Sequence, residues 1–184
     1  MLIKKLVGAL CLVATMGVMS TEPARAESAE EIDAKVDIAL NTLLTDSEAA
    51  QAIDEKALAT LVFPDIIKAG LGVGGQYGEG ALRRDGATVG YYNIASASFG
   101  FQAGAQTYSQ VLYFMTEEAL ETLRKARGFE LGADANVAVL SEGAGIDVST
   151  ATAMDPIVAF VFGQQGLMGG VTLEGSKISK INPK

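Results

Sequence analysis

Residues 69–104 constrain the fold of this chain more than any other stretch. They read AGLGVGGQYGEGALRRDGATVGYYNIASASFGFQAG and hold ten of the chain's 21 glycines. The alternation has a period of two, the period of a strand. Leu71, Val73, Tyr77, Ala81 and Arg83 point one way; Gly70, Gly72, Gly74, Gly78 and Gly80 point the other. Glycine weakens an ordinary strand, so five on one face imply a tight bend, or a neighbour too close to leave room for a Cβ. Asp85-Gly86 is a strong hairpin signal. The pattern predicts a hairpin of residues 71–83 and 88–95 with Arg83 and Arg84 at its tip. A further strand is predicted over residues 98–114, with a bend or bulge near Gly104.

The first residues belong to a different kind of segment. Lys4 and Lys5 precede an apolar, uncharged run at residues 6–19, and Ala24-Arg25-Ala26 follows with small-x-small spacing. This is the pattern of a secretory signal peptide cleaved between Ala26 and Glu27, and the run is short for a membrane span. Residues 1–26 are therefore expected to be removed, leaving residues 27–184 as one domain, periplasmic or secreted. Of the 14 basic and 22 acidic residues, three basic and one acidic lie in the leader, so the remainder carries 11 and 21, a net charge of −10. It has no cysteine, histidine or tryptophan. Stability must come from packing without disulfides. The acidic balance argues against nucleic acid as a partner.

Ser28 and Glu31 form a capping box for a helix over residues 28–44. Its apolar stripe is Ile32, Val36, Leu40, Leu43 and Leu44, and its polar side carries Glu30, Asp33 and Asp37 against Lys35. A membrane-surface helix would be basic there, so this helix is expected to pack on its own domain. Thr45 and Glu48 suggest a second capping box, opening a helix to about Ala59 with Ala49, Ala52, Ile53, Ala57 and Leu58 inward. A short strand edge at residues 61–63 ends at Pro64. Thr116 caps a helix over residues 117–127 with Gly128 at its stop. Strands follow at residues 136–140, 157–162 and 170–173, a loop at 142–153 and a basic tail at 177–184. The sum is an α+β fold: two N-terminal helices on a strongly curved, mostly antiparallel, glycine-rich sheet or partial barrel, with one inserted helix.

Catalytic chemistry is poorly provided for. Gly70-Leu71-Gly72-Val73-Gly74-Gly75 matches G-x-G-x-x-G formally, but a turn rather than a helix follows it, so no dinucleotide cofactor is expected. Without histidine or mature cysteine, the usual general base, metal ligand and thiol nucleophile are missing. Asp134, Glu142, Asp147 and Asp155 surround the polar loop and read as solvated carboxylates rather than a glycosidase pair. No catalytic residue, metal ligand or cofactor is assigned. The scarce basic residues Lys68, Arg83, Arg84, Lys177 and Lys180 are the candidate contacts for a phosphate or lipid headgroup.

Several joined motifs resemble the SYLF domain family. They are Phe63-Pro64, Lys68-Ala69-Gly70, Gly74-Gly75-Gln76-Tyr77-Gly78-Glu79-Gly80, Tyr91-Tyr92 and Gly100-Phe101-Gln102-Ala103-Gly104-Ala105-Gln106. Phe114-Met115-Thr116, Gly132-Ala133-Asp134-Ala135 and Gly166-Leu167-Met168-Gly169-Gly170-Val171 through Glu174-Gly175 continue them. The resemblance implies a non-catalytic lipid-binding module for phospholipid or phosphoinositide headgroups; yeast members are associated with actin. It also implies a role for the motif glycines Gly70, Gly74, Gly75, Gly78, Gly80, Gly100 and Gly104. The first helix departs from the family's amphipathic, basic contact because it is acidic. The alternatives are a periplasmic structural or protein-interaction module without a lipid ligand, and an outer-membrane barrel, which needs at least eight strands.

Overall fold

The computed structural model describes residues 27–126, 128–141, 155–166 and 175–184. The elements are α1 (Ala29–Asp46), α2 (Glu48–Asp54), β1 (Ala59–Arg84), β2 (Ala87–Phe114), α3 (Glu117–Lys125), β3 (Phe129–Glu130), β4 (Val137–Ser141), β5 (Ile157–Gly166) and β6 (Lys177–Ile181). They form α+β architecture around one sheet, six-stranded among the described residues.

The hairpin is larger than its sequence signal. The segment at 61–63 and the arm at 71–83 are one strand, β1, and the segments at 88–95 and 98–114 are one strand, β2. Asp85 (φ 52°) and Gly86 (φ 78°) make the left-handed turn between them. The ladder shifts register in three places, one of them between Leu82 and Arg83 beside the turn. Pro64 sits in a bulge between Phe63 and Ile66, where its missing N–H is tolerated. Pairing then jumps from Leu71↔Ala103 to Val73↔Phe99, the bend expected near Gly104.

The glycine face is explained by close approach. A Cβ on Gly80 would lie 2.0 Å from the Val62 carbonyl oxygen, and one on Gly78 would lie 2.8 Å from that of Asp65. One on Gly70 would lie 2.7 Å from the Gly74 Cα. β1 therefore turns sharply at residues 70–74 and its two ends cross in contact, which makes the sheet strongly curved.

β2 is the central strand. β1 runs along one edge, and the other edge takes β5 over residues 106–114 and β6 over residues 91–95. Every pairing between strands is antiparallel except β4 with β5. The two faces bury separate clusters. One holds Leu61, Phe63, Ile66, Leu82, Ile94, Tyr108, Leu112 and Phe114, closed by Leu120 and Leu123 of α3 and by Phe129 and Ile178. The other holds Val62, Ala81, Val111, Tyr113, Val158 and Phe160 beneath Ile32, Val36, Ala39 and Leu43 of α1 and Ile53 of α2. Helices thus lie on both faces, unlike a membrane-spanning barrel whose outer band meets lipid directly. No helix among the described residues is long and apolar enough to cross a membrane.

Local sequence sets the helix ends. The Ser28–Glu31 capping box forms as the residues predict. The second box does not. Ser47, not Thr45, caps α2 through the Ala50 N–H, while the Thr45 hydroxyl turns back to the Asn41 carbonyl within α1. α2 also stops at Asp54, because Ala59 already pairs with Phe114. Thr116 caps α3, which ends at Lys125 with Ala126 extended; Gly128 instead gives room to the Lys177 side chain. Residues 177–181, expected as a tail, are strand β6, and the two-residue β3 beside it carries no sequence signal. The expected loop at 142–153 and strand at 170–173 lie outside the described residues.

Gly80→Ala is expected to lower unfolding stability by about 3 kcal/mol, since the rigid Val62 carbonyl must move. Gly86→Ala, where nothing lies within 4 Å of a new Cβ, is expected to lose about 1 kcal/mol for its positive φ alone. Urea unfolding of both variants checks the order.

Candidate functional site

α1 is held to the sheet by an ionic and hydrogen-bonded latch built on Asp33. Its carboxylate accepts from the Thr88 hydroxyl at 2.7 Å and the Tyr91 hydroxyl at 2.9 Å. The Arg83 guanidinium lies 3.5 Å from the same carboxylate and 2.5 Å from Asp37. Asp33 and Asp37 are one helical turn apart, so both reach the hairpin tip from one side of α1. Arg84 makes two bonds to the Glu117 carboxylate, at 3.2 and 3.3 Å, and so ties the same tip to the first turn of α3. The two tip arginines are thereby engaged by the chain's own acids.

The other candidate cations occupy different places. Lys68 is half-buried on β1 opposite Gln106. Lys177 and Lys180 lie on β6 opposite Ala95 and Tyr92, both exposed, with the Lys177 stem over Gly128. The structure brings Arg83 and Arg84 together at the tip and sets Lys68 at the bend end of β1. Of the loop carboxylates, Asp134 accepts from the Glu130 N–H in the turn after β3. Glu142 and Asp147 lie outside the described residues.

An apolar strip is the feature that the basic residues did not announce. On the face that α1 and α2 cover elsewhere, the glycine-rich half of β1 is bare. Ile67 is 60% exposed, Val73 62% and Tyr77 47%. Between and opposite them stand small exposed residues, Ala69, Ala97 and Ala105. The odd positions of the alternation carried this signal: Ala81 and Arg83 meet α1, and Tyr77 and Val73 continue the same face past it. Beside the strip, a cleft of about 410 Å³ opens between α1 and the sheet, lined by Ile38, Thr42, Pro64, Thr107, Phe162 and Gln165 among others. Ile38 is 69% exposed at its rim.

Charged groups around the strip are engaged by near neighbours. Lys35 bonds Glu27 at 2.6 Å and Asp65 at 3.3 Å, and the Glu27 hydrogen bond holds its ammonium above the usual lysine range. Tyr77 donates to Glu79 at 2.6 Å; burial first, then that bond, raises its hydroxyl. The other four tyrosines, Tyr91, Tyr92, Tyr108 and Tyr113, are also raised, chiefly by burial.

Residues 95–182 match the model of a family described as Ysc84, Las17-binding protein actin regulator. The matched part is a little under half of the chain and runs from β2 through α3 to β6, leaving α1, α2 and β1 outside it. The resemblance to the SYLF/Ysc84 family is thus supported over that part. The description names a binding protein, in agreement with the reading that the chain is not an enzyme. None of the curated proteins matches the chain.

Two outcomes follow from this geometry. Asp33→Ala leaves the Thr88 and Tyr91 hydroxyls without their acceptor and Arg83 with Asp37 as its remaining carboxylate, and is expected to cost about 2–3 kcal/mol, read as faster amide exchange along α1. Raised tyrosines keep their protons longer folded than unfolded, so their contribution is complete below about pH 10. Stability is expected to fall as pH rises from there through the folded values, measured by urea unfolding alongside tyrosinate absorbance.

Proposed function

We propose that the mature chain is an exported, non-catalytic domain that binds a lipid surface through the bare strip Ile67, Val73 and Tyr77. The exposure of these three side chains on one face is the observation that carries the reading. A contiguous apolar face on a monomer marks a contact surface. Tyrosine suits a membrane interface, with an apolar ring and a polar tip. Alanine and glycine between the larger residues leave the strip low in relief, a surface that lipid can meet along its length. The leader-like residues 1–26 support export, and the SYLF resemblance supports lipid as the class of ligand.

The strip takes the membrane through area rather than charge. Arg83 and Arg84 already face Asp33, Asp37 and Glu117, and Glu27, Asp65 and Glu79 lie near the strip with Lys35. A zwitterionic phospholipid fits this surface better than a phosphoinositide. The second reading, a protein-interaction module, is favoured by the protein-binding description of the matched family.

Flotation with zwitterionic vesicles tests the choice. Binding is expected without anionic lipid and with little dependence on salt. Ile67→Ser with Val73→Ser removes two exposed apolar side chains and is expected to weaken binding at least about tenfold. The Gln variants of Lys177 and Lys180 are expected to bind as the parent does. Binding that needs anionic lipid and ignores the strip variant would point to the basic residues instead. No binding to any vesicle favours the protein-interaction reading.

A further inference from the structure

Gln110 is fully buried, and neither atom of its carboxamide has a hydrogen-bond partner. On β2 it shares a face with Tyr108 and Leu112, the face of the cluster closed by α3. Its ladder neighbours are Phe63 and Val161. Four residues away on that face, Gln106 is 3% exposed with its Oε1 also unpartnered. Between them, Tyr108 donates to Gln76, and Gln76 donates to Ser176, each at 2.8 Å. The interior therefore carries a line of neutral polar groups. Buried amides are almost always paired, and an apolar residue of the same volume would avoid the desolvation.

The backbone is irregular at the same level on both sides of β2. β1 bulges between Phe63 and Ile66, and β5 bulges opposite Thr107 and Ser109, with Gly163 at φ 63°. The Ser109 hydroxyl donates to the Pro64 carbonyl at 2.6 Å across the first bulge. Bulges re-aim side chains and recur beside binding sites. The cleft lined by Pro64, Asp65, Tyr108, Ser109 and Gly163 opens over them on the outer face.

We propose that Gln110 anchors an enclosed site for a small neutral molecule bearing a hydroxyl group. A hydroxyl donates once and accepts, which matches the orphaned carbonyl and amino groups of one carboxamide. A charged ligand does not fit, because the buried polar side chains among the described residues are Thr60, Gln76, Gln106, Gln110 and Ser176, all neutral. The hydroxyl comes either from ordered water or from a polyol or lipid alcohol. This site is independent of the exposed strip.

The test compares the mature chain with Gln110→Met, which keeps the volume and removes the hydrogen-bonding groups. Oxygen-17 relaxation of water counts long-lived internal waters, and mass spectrometry after solvent extraction finds retained compounds. A long-lived water lost in the variant supports the site with water as its source. A stoichiometric hydroxyl compound present in the parent and lost in the variant supports it with that compound as source. A parent with neither signal, or signals unchanged in the variant, overturns the proposal. The melting temperature of Gln110→Met is expected to drop by roughly 5 °C, and a rise overturns the proposal as well. Gln110→Leu serves in the same way if the methionine variant does not fold.

Discussion

The crossing of β1 over itself is the constraint on which the rest depends. Val62 and Asp65 present carbonyl oxygens where Gly80 and Gly78 would carry side chains. No residue with a Cβ meets that distance without moving backbone. Because the crossing is tight, one hairpin curls far enough to give two faces with separate jobs. One face closes on α3 and the short β3; the other receives α1 and α2. The face is longer than the helices that cover it, and the uncovered end is the candidate contact surface. The same contact that closes the sheet thus also determines where it stays open.

Electrostatics inside the domain are spent on docking. The acidic side of α1 is split. Glu30 stays in solvent, while Asp33 and Asp37 meet Arg83. Arg83 and Arg84 join α1 and α3 to one hairpin tip, although the two helices pack on opposite faces. Exposed pairs of this kind contribute modestly; the Asp33 cluster is stronger because hydroxyl donors complete its carboxylate. Both arginines thus serve the packing of the helices on the sheet.

Much of the fold was legible because local signals agreed with it. The capping box at Ser28, the Asp85-Gly86 turn and the glycine alternation each have a mechanism that acts over a few residues. What was not legible depended on partners far along the chain. Pro64 looks like a strand end, but β2 is present across the bulge to continue the ladder. Residues 177–181 look like a charged tail because only two of five are buried or apolar enough to register, yet Ile178 seals the interior beside Phe129. The candidate surface was half-visible. Counting cations drew attention to Arg83, while the exposed residues Val73 and Tyr77 stood on the same alternation without a sign of which stretch the helices would leave bare.

β5 and β6 pair with β2 along one edge, Gln106 with Gly166 and Ala95 with Lys177. Both partners come well after β2 in the chain, and the residues they join are 43 to 90 positions apart. Long loops must close before such contacts form, which makes assembly slow relative to local structure. A nascent chain can complete α1, α2 and the hairpin turn, but the second edge of its central strand stays unpaired until β5 and β6 have been made. The sheet therefore locks late, and the open side of its central strand is the part of the fold most exposed to wrong pairing before then.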